Sequence, residues 1–351
     1  MKITTVGIDL AKSVFSIHGV DAYGKSALKR QLRRDQLLEA MAKLEPCLVG
    51  VEACSGAHHF ARQLRALGHQ PRIMAPRFVQ PYRKSQKNDG NDAEAICEAV
   101  ARPNMRFVLI KSEEQQALLV VHRVRKALVD ERTGYINSLR GMLCEFGIVL
   151  PKGRYQLRAR LPQVLADEKG QLPALAREVF KDVGQRIAEL DEHILAYDRR
   201  IEALVRHSEA AKRLLKIPGI GPISASALVA SVGDPKMFDN GRQFAAWLGL
   251  VPTQYSSGGK TRLGRISKRG DVYLRTLLIH GTRAVLCAAK SASASTPPPT
   301  ALSSWIEQLR ARRGLKKAAV ALAAKNARIA WALLARGQHY RARPIKERAA
   351  T

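Results

Sequence analysis

Residues 3–9, ITTVGID, read as a buried strand, and residues 14–20, VFSIHGV, read as its hairpin partner across a turn at 10–13. Working outward from this pair, residues 37–44 have helical composition, 47–52 (CLVGVE) form a third strand, 58–67 a helix, and 72–74 a short strand. Residues 91–100 (NDAEAICEAV) are helical again. Short β-rich runs alternating with helices are the rhythm of an α/β domain, here spanning residues 1–111.

This pattern disposes four acids in a particular way. Asp9 closes the first strand, Glu52 closes the third, and Asp89 and Asp92 stand three residues apart at the entry to a helix, on one helical face. If the first and third strands are sheet neighbours, carboxylates at their matching ends meet, and the helix brings the other two. Converging carboxylates repel, so such a cluster requires divalent cations. Oxygen-only ligands favour Mg²⁺ or Mn²⁺. Two such ions roughly 3.5–4 Å apart orient and polarise a phosphodiester. Each acid taken singly also suits a plainer role: Asp9 as a turn former, Glu52 as a surface residue, Asp89 and Asp92 as helix caps.

Charge narrows the class of partner. The 351 residues carry 59 Lys and Arg against 30 Asp and Glu, a net charge of +29, with 46% hydrophobic residues. That apolar fraction excludes a wholly disordered chain. The basic excess suits nucleic acid, whose condensed counterions Lys and Arg displace. It is concentrated late: residues 217–351 hold 22 Lys and Arg against 5 acids, +17 of the total. No apolar stretch of about 18 residues is evident, so no membrane partner and a cytoplasmic location are expected. Five cysteines without a CxxC pair suggest neither a zinc site nor a disulfide framework.

Residues 112–150 and 172–215 read as helical and highly charged, with a Gly/Pro break at 147–153, and together make a helical region over 112–215. Within it Phe180, Val183, Ile187, Leu190, Ile194, Tyr197, Ile201 and Leu204 alternate steps of three and four, a heptad seam for an antiparallel hairpin or an intermolecular coiled coil. A third, α-rich region, 216–351, opens with IPGIGPISASALVASVG. Gly219 and Gly221 there fit a helix-hairpin-helix element whose backbone N–H groups face a phosphate, or simply a tight turn between helices. Residues 291–304 (SASASTPPPTALSS) form a Pro/Ser linker, a last basic helix covers 314–334, and the tail after 338 frays.

The segments GIDLAK, VEACSG and KNDGNDAEA, which carry the four acids, resemble the RuvC-like domain of DEDD transposases of insertion-sequence family one-hundred-and-ten. LLKIPGIGPISASALVASVGD and RQFAAWLGLVPTQYSSGGKTRLGRISKRGDVYLRTLLIHGTRA are similar to that family's C-terminal domain, and KKAAVALAAKNARIAWALL to its eleven-eleven branch. The resemblance implies a RuvC/RNase H-like domain, a helical coiled-coil insertion and an α-rich serine-bearing transposase domain. It implies an RNA-guided DNA recombinase in which Asp9, Glu52, Asp89 and Asp92 hold the metal and Ser257, next to Ser256, is the nucleophile. A structured non-coding guide RNA, donor and target DNA, and a dimer or tetramer of the chain are the implied partners. The local chemistry agrees: Ser257 precedes two glycines, and Lys260, Arg262, Arg265, Lys268 and Arg269 follow closely enough to hold a phosphate. The competing readings are a junction-resolving hydrolase in which water replaces serine, and a non-catalytic nucleic-acid-binding protein.

Overall fold

The computed structural model describes residues 2–84, 88–167, 170–288 and 300–342, and the chain divides into two compact units, residues 1–112 and 113–351. The first contains β1 (Thr5–Asp9), β2 (Val14–Val20), β3 (Ser26–Arg33), α1 (Leu37–Ala42), β4 (Leu48–Glu52), α2 (Ala57–Ala66), β5 (Gln70–Met74), α3 (Pro76–Val79), α4 (Asp89–Val100) and β6 (Phe107–Val108). Its mixed sheet has the order β3-β2-β1-β4-β5-β6. β2 is antiparallel to both of its neighbours, β1 and β3; β4 and β5 run parallel to β1, and β6 is antiparallel to β5. The expected neighbourhood of the strands ending in Asp9 and Glu52 is therefore present, although the second of them is the fourth strand in chain order.

The longest of the strands missed in the sequence is β3, SALKRQLR. It is an edge strand whose one fully buried side chain is Leu32, and its cations keep the edge from pairing with another sheet. Period two then sorts the central strands. Val6, Ile8, Phe15, Ile17, Val49 and Val51 face one side, where they pack with Leu37, Met41, Phe60 and Leu64 of α1 and α2. Gly7, Asp9, Ser16, His18, Gly50 and Glu52 face the other side, under α4.

The second unit contains α5 (Glu113–Glu145), α6 (Arg154–Ala166), α7 (Ala174–Arg206), α8 (Glu209–Leu214), α9 (Pro222–Val232), α10 (Gly241–Trp247), β7 (Pro252–Gln254), β8 (Leu263–Ile266), α11 (Val272–Ala288) and α12 (Ala301–Arg336). The seam of α7 is covered by its own chain. Phe180 and Ile187 share a core with Ile136, Leu139 and Leu143 of α5, and Ile201 lies in the core built around α9. Arg125 pairs with Asp198, and Arg132 with Asp191 at 2.5 Å; these partners descend in number along α7 as they rise along α5, so the two helices are antiparallel. Of the two alternatives read for this seam, the antiparallel hairpin is the one this chain forms. The last position of the seam slips, since Leu204 is 44% exposed while the adjacent Val205 is buried.

The region from residue 216 does not separate from the helical region as a compact unit of its own. Small residues of α9, Ser224 to Ala227, are buried and let α5 and α7 pack closely on it. A polar link crosses this contact: His122 of α5 lies within hydrogen-bond distance of Tyr273 Oη and Ser226 Oγ, each at 3.1 Å. Burial, and then the charge of Arg125, push His122 down to about 4.

The last helix starts earlier than expected. Thr300 caps α12, accepting from the Ser303 N–H at 3.1 Å, and the helix is interrupted at Gly314 (φ 78°, ψ 164°), where the predicted basic helix began. Residues 291–299 of the Pro/Ser stretch and 343–351 of the tail lie outside the described residues. One window of α12 has a mean hydropathy of 1.3 and passes a length-and-composition test for crossing a membrane, contrary to the sequence expectation. Its apolar character has a local reason: Ala323, Ala327, Ala330 and Leu333 belong to the core of this unit.

Candidate active site

The acid-bearing face owes its form to two glycines. A Cβ on Gly7 would stand 2.2 Å from the Ala93 carbonyl oxygen, and one on Gly50 would stand 2.8 Å from Val100 Cβ, so α4 rests directly on the backbone of β1 and β4. These strands are parallel with Gly7 opposite Gly50 and Ile8 opposite Val51. Two residues beyond each glycine, on the same face, come Asp9 and Glu52, both half-buried. The Cys54 thiol is pushed up by partial desolvation and then by the charges of Asp9 and Glu52, which places both carboxylates within electrostatic reach of one point.

The helix acids are less alike than their spacing suggested. Asn88 caps α4, its side chain accepting from the Asn91 N–H at 2.8 Å. Asp89, in the first turn, is exposed; Asp92 is buried, and its Oδ1 accepts from Arg83 Nε at 2.5 Å. Glu94 and Glu98, assigned to another helix face, are engaged by Lys84 and Arg102. Among the described residues, no three His, Cys, Asp or Glu side chains stand close enough together to hold a metal ion. Asp92 instead takes the Arg83 guanidinium as its counter-charge.

The donor set nevertheless fits a hard divalent ion. The nearest carboxylates offer oxygen alone, and a polar strip beside them is incompletely satisfied. Ser16 faces Asp9 across the β1–β2 pair, and His18 faces Gly7. Both are buried, and among the described residues neither Ser16 Oγ nor His18 Nδ1 has a hydrogen-bond partner. A buried, unmade hydrogen bond of this kind costs roughly 1–3 kcal/mol. His18 is held below the usual range by burial, with Lys29 and Lys84 adding to the shift and Glu94 opposing it. Sequence reading passed over both residues, because a lone polar residue in a strand is unremarkable until its register with Asp9 is known.

The serine lies in a different setting. β7 and β8 pair antiparallel, Tyr255 N donates to the Arg262 carbonyl at 2.9 Å, and Lys260 N donates to the Ser257 carbonyl at 3.1 Å. Gly258 (φ 55°) and Gly259 (φ 74°) turn the tip in left-handed conformations that favour glycine. Ser256 Oγ accepts from Gln254 Nε2 at 2.8 Å, whereas no such contact engages the Ser257 hydroxyl among the described residues. Lys260, Arg262, Arg265, Lys268 and Arg269 are all exposed along the hairpin, as are Tyr255 and Leu263. Its base is pinned: a Cβ on Gly249 would stand 2.0 Å from the Arg269 carbonyl oxygen, and one on Gly270 would stand 1.9 Å from that of Trp247.

Of the two glycines expected to face phosphate, Gly219 (φ 86°) lies against α11. A Cβ on Gly281 would stand 1.9 Å from its carbonyl oxygen, and the neighbouring Pro218 carbonyl accepts from Asn326 Nδ2 at 2.7 Å. Helix packing therefore explains this glycine independently of any ligand. Gly221, at the start of α9, is exposed with open space beside it.

Comparison with known proteins follows the same two regions. A DEDD transposase profile of the IS110 type matches residues 6–148, and the profile described as Transposase IS116/IS110/IS902 family matches 211–296. The chain is 51% identical to the "Probable family 20 transposase" of Pseudomonas aeruginosa over 97% of its own length and 99% of that protein. It is 42% identical to the "Transposase for insertion sequence element IS1111A" of Coxiella burnetii, covering 97% of this chain and 92% of the relative. The corresponding values for the "Transposase for insertion sequence element IS1328" of Yersinia enterocolitica are 42%, 95% and 98%.

Proposed function

This chain belongs to the IS116/IS110/IS902 family of insertion-sequence transposases, DNA-cutting and rejoining enzymes, and from that premise we propose that Asp9, Glu52, Asp89 and Asp92 hold Mg²⁺ or Mn²⁺ while Ser257 attacks the DNA backbone. The observation that carries the reading is the pairing of Asp9 and Glu52 at neighbouring parallel strand ends, on the face that two glycines open to α4. The order of the sheet supports a RuvC/RNase H-like domain.

A divalent cation there supplies polarisation of a phosphodiester and neutralises developing charge. The chain's own residues do the rest. Lys260, Arg262, Arg265, Lys268 and Arg269 hold phosphate on the serine hairpin, and exposed Tyr255 offers a face on which a base stacks. The Ser257 hydroxyl, at an open glycine turn, forms one P–O bond to the scissile phosphorus as one strand P–O bond breaks. The Ser257 proton ends on the displaced strand oxygen, which leaves as a hydroxyl, and its return to phosphorus reverses the exchange without ATP, because the phosphoserine ester conserves the bond. Ser256, engaged by Gln254, serves the turn. Gly221 borders a further phosphate contact at the start of α9.

The partners proposed with this chemistry are donor and target DNA, a structured non-coding guide RNA and further copies of the chain; the net charge of +29 supports polyanionic partners. Co-purifying the protein with its nucleic acid and sequencing the bound fraction tests the guide directly: a discrete structured RNA encoded beside the gene is expected, and random fragments refute it. Asp9→Ala is expected to abolish strand cleavage at nearly unchanged DNA affinity, since affinity comes from Lys and Arg. Undiminished cleavage in EDTA or in Asp9→Ala removes the metal from the mechanism, and cut DNA without any protein adduct favours hydrolysis over the serine.

A further inference from the structure

We propose that Ser16 is a positioning residue of the acid site: its hydroxyl, through one water, orients the Asp9 carboxylate for the divalent cation. The inference rests on the metal-site reading above and extends it to the neighbouring strand.

Three observations carry it. Ser16 stands directly opposite Asp9 in the antiparallel register, so the two side chains share a face with Cβ atoms about 4.5–5.5 Å apart. Ser16 is 4% exposed and its Oγ has no partner among the described residues, a condition that in native proteins marks a place for water, an ion or catalytic use. The third is the contrast along β2 itself. Phe15 and Ile17 fill the opposite face with apolar bulk, while Ser16 and His18 keep the α4 face polar, His18 being 7% exposed with Nδ1 also unsatisfied. Two orphaned polar groups in succession, beginning beside Asp9, form a strip leading away from the acid beneath α4. A carboxylate that must bind a cation in one orientation needs such a neighbour, because groups behind the ligands fix ligand geometry and tune affinity.

The test is thermal denaturation of the full chain titrated with Mg²⁺ alone, comparing wild type with Ser16→Ala, Ser16→Thr and Asp9→Ala. Ser16→Ala is expected to melt at or above the wild-type temperature without metal, since it removes a buried unpaired hydroxyl, and to need about tenfold more Mg²⁺ for half of the metal-induced shift. Ser16→Thr, which keeps the hydroxyl, is expected to restore the wild-type midpoint, and Asp9→Ala to lose the shift. If Ser16→Ala titrates like wild type while Asp9→Ala loses the response, the role of Ser16 is overturned and the metal site stands. A lower metal-free melting temperature with an unchanged midpoint overturns it too, in favour of a structural water between Ser16 and His18. If wild type and Asp9→Ala respond identically, the metal-site reading itself falls.

Discussion

The end of the sheet that bears the acids and the hairpin that bears the serine are built on opposite plans. Asp9 and Glu52 continue strands whose other face is fully packed, and a helix lies on backbone two residues behind them. Ser257 sits at the tip of a two-stranded ribbon whose residues are nearly all exposed and whose fixed part is its base, clamped at Gly249 and Gly270. The first plan fixes its carboxylates by packing, independently of any substrate. The second displays the proposed nucleophile among exposed cations, which bound phosphate would neutralise. Substitutions in the glycine seat beneath the acids should therefore disturb stability and chemistry together, and replacement of Ser257 chemistry alone.

The sharpest break of that contrast is Ser257→Ala. It is expected to eliminate covalent attachment to labelled DNA on denaturing gels without moving the melting temperature, while Ser256→Ala retains the adduct. The reverse outcome would move the nucleophile by one residue. Next in size is Ile194→Asp, which buries an unpaired charge in the α7 seam and is expected to destabilise the helical unit by about 4 kcal/mol, seen as a lower denaturant midpoint. Dissociation of an oligomer with unchanged stability would show instead that this side chain meets another chain. Gly7→Ala drives a methyl group into the α4 backbone and is expected to cost about 3 kcal/mol and to lower cleavage with it, whereas Gly258→Ala leaves space beside the backbone and acts through its positive φ at the tip.

The smallest effect concerns pH. His122 is about 4 in the folded chain against an ordinary value of 6.5, so between these values the unfolded chain binds the extra proton and stability falls as pH falls. The loss from this group approaches roughly 3 kcal/mol by pH 4 and is absent above pH 6.5. Chemical denaturation at pH 7 and pH 4.5, with His122→Gln as the control, measures it.

What was legible in the sequence follows the same division. β1, β2 and β4 announce themselves because one of their faces must be apolar, and the acids because they end those strands. β3 was hidden since an exposed edge is charged like a loop, and α6 because Pro162 interrupts its pattern. The heptad steps in α7 identified its buried stripe, but periodicity is silent on whether the covering surface belongs to the same chain. Gly219 carried a turn signature that was correct, while its contact with Gly281, more than sixty residues away, could not be read locally. Ser16 and His18 acquire meaning only through register.

The seat of α4 on Gly7 and Gly50 has a consequence for how copies of such an element decay in a genome. On the proposed function, loss of an acid stops cleavage without disturbing the core, whereas a side chain at Gly7 or Gly50 collides with α4 and compromises folding itself. A copy that has lost an acid but kept both glycines would still yield a folded protein able to occupy DNA and compete with active copies, whereas a copy with a substituted glycine would vanish by proteolysis. The ratio of these two kinds of lesion among inactive copies would record whether silent elements act as natural repressors of their active kin.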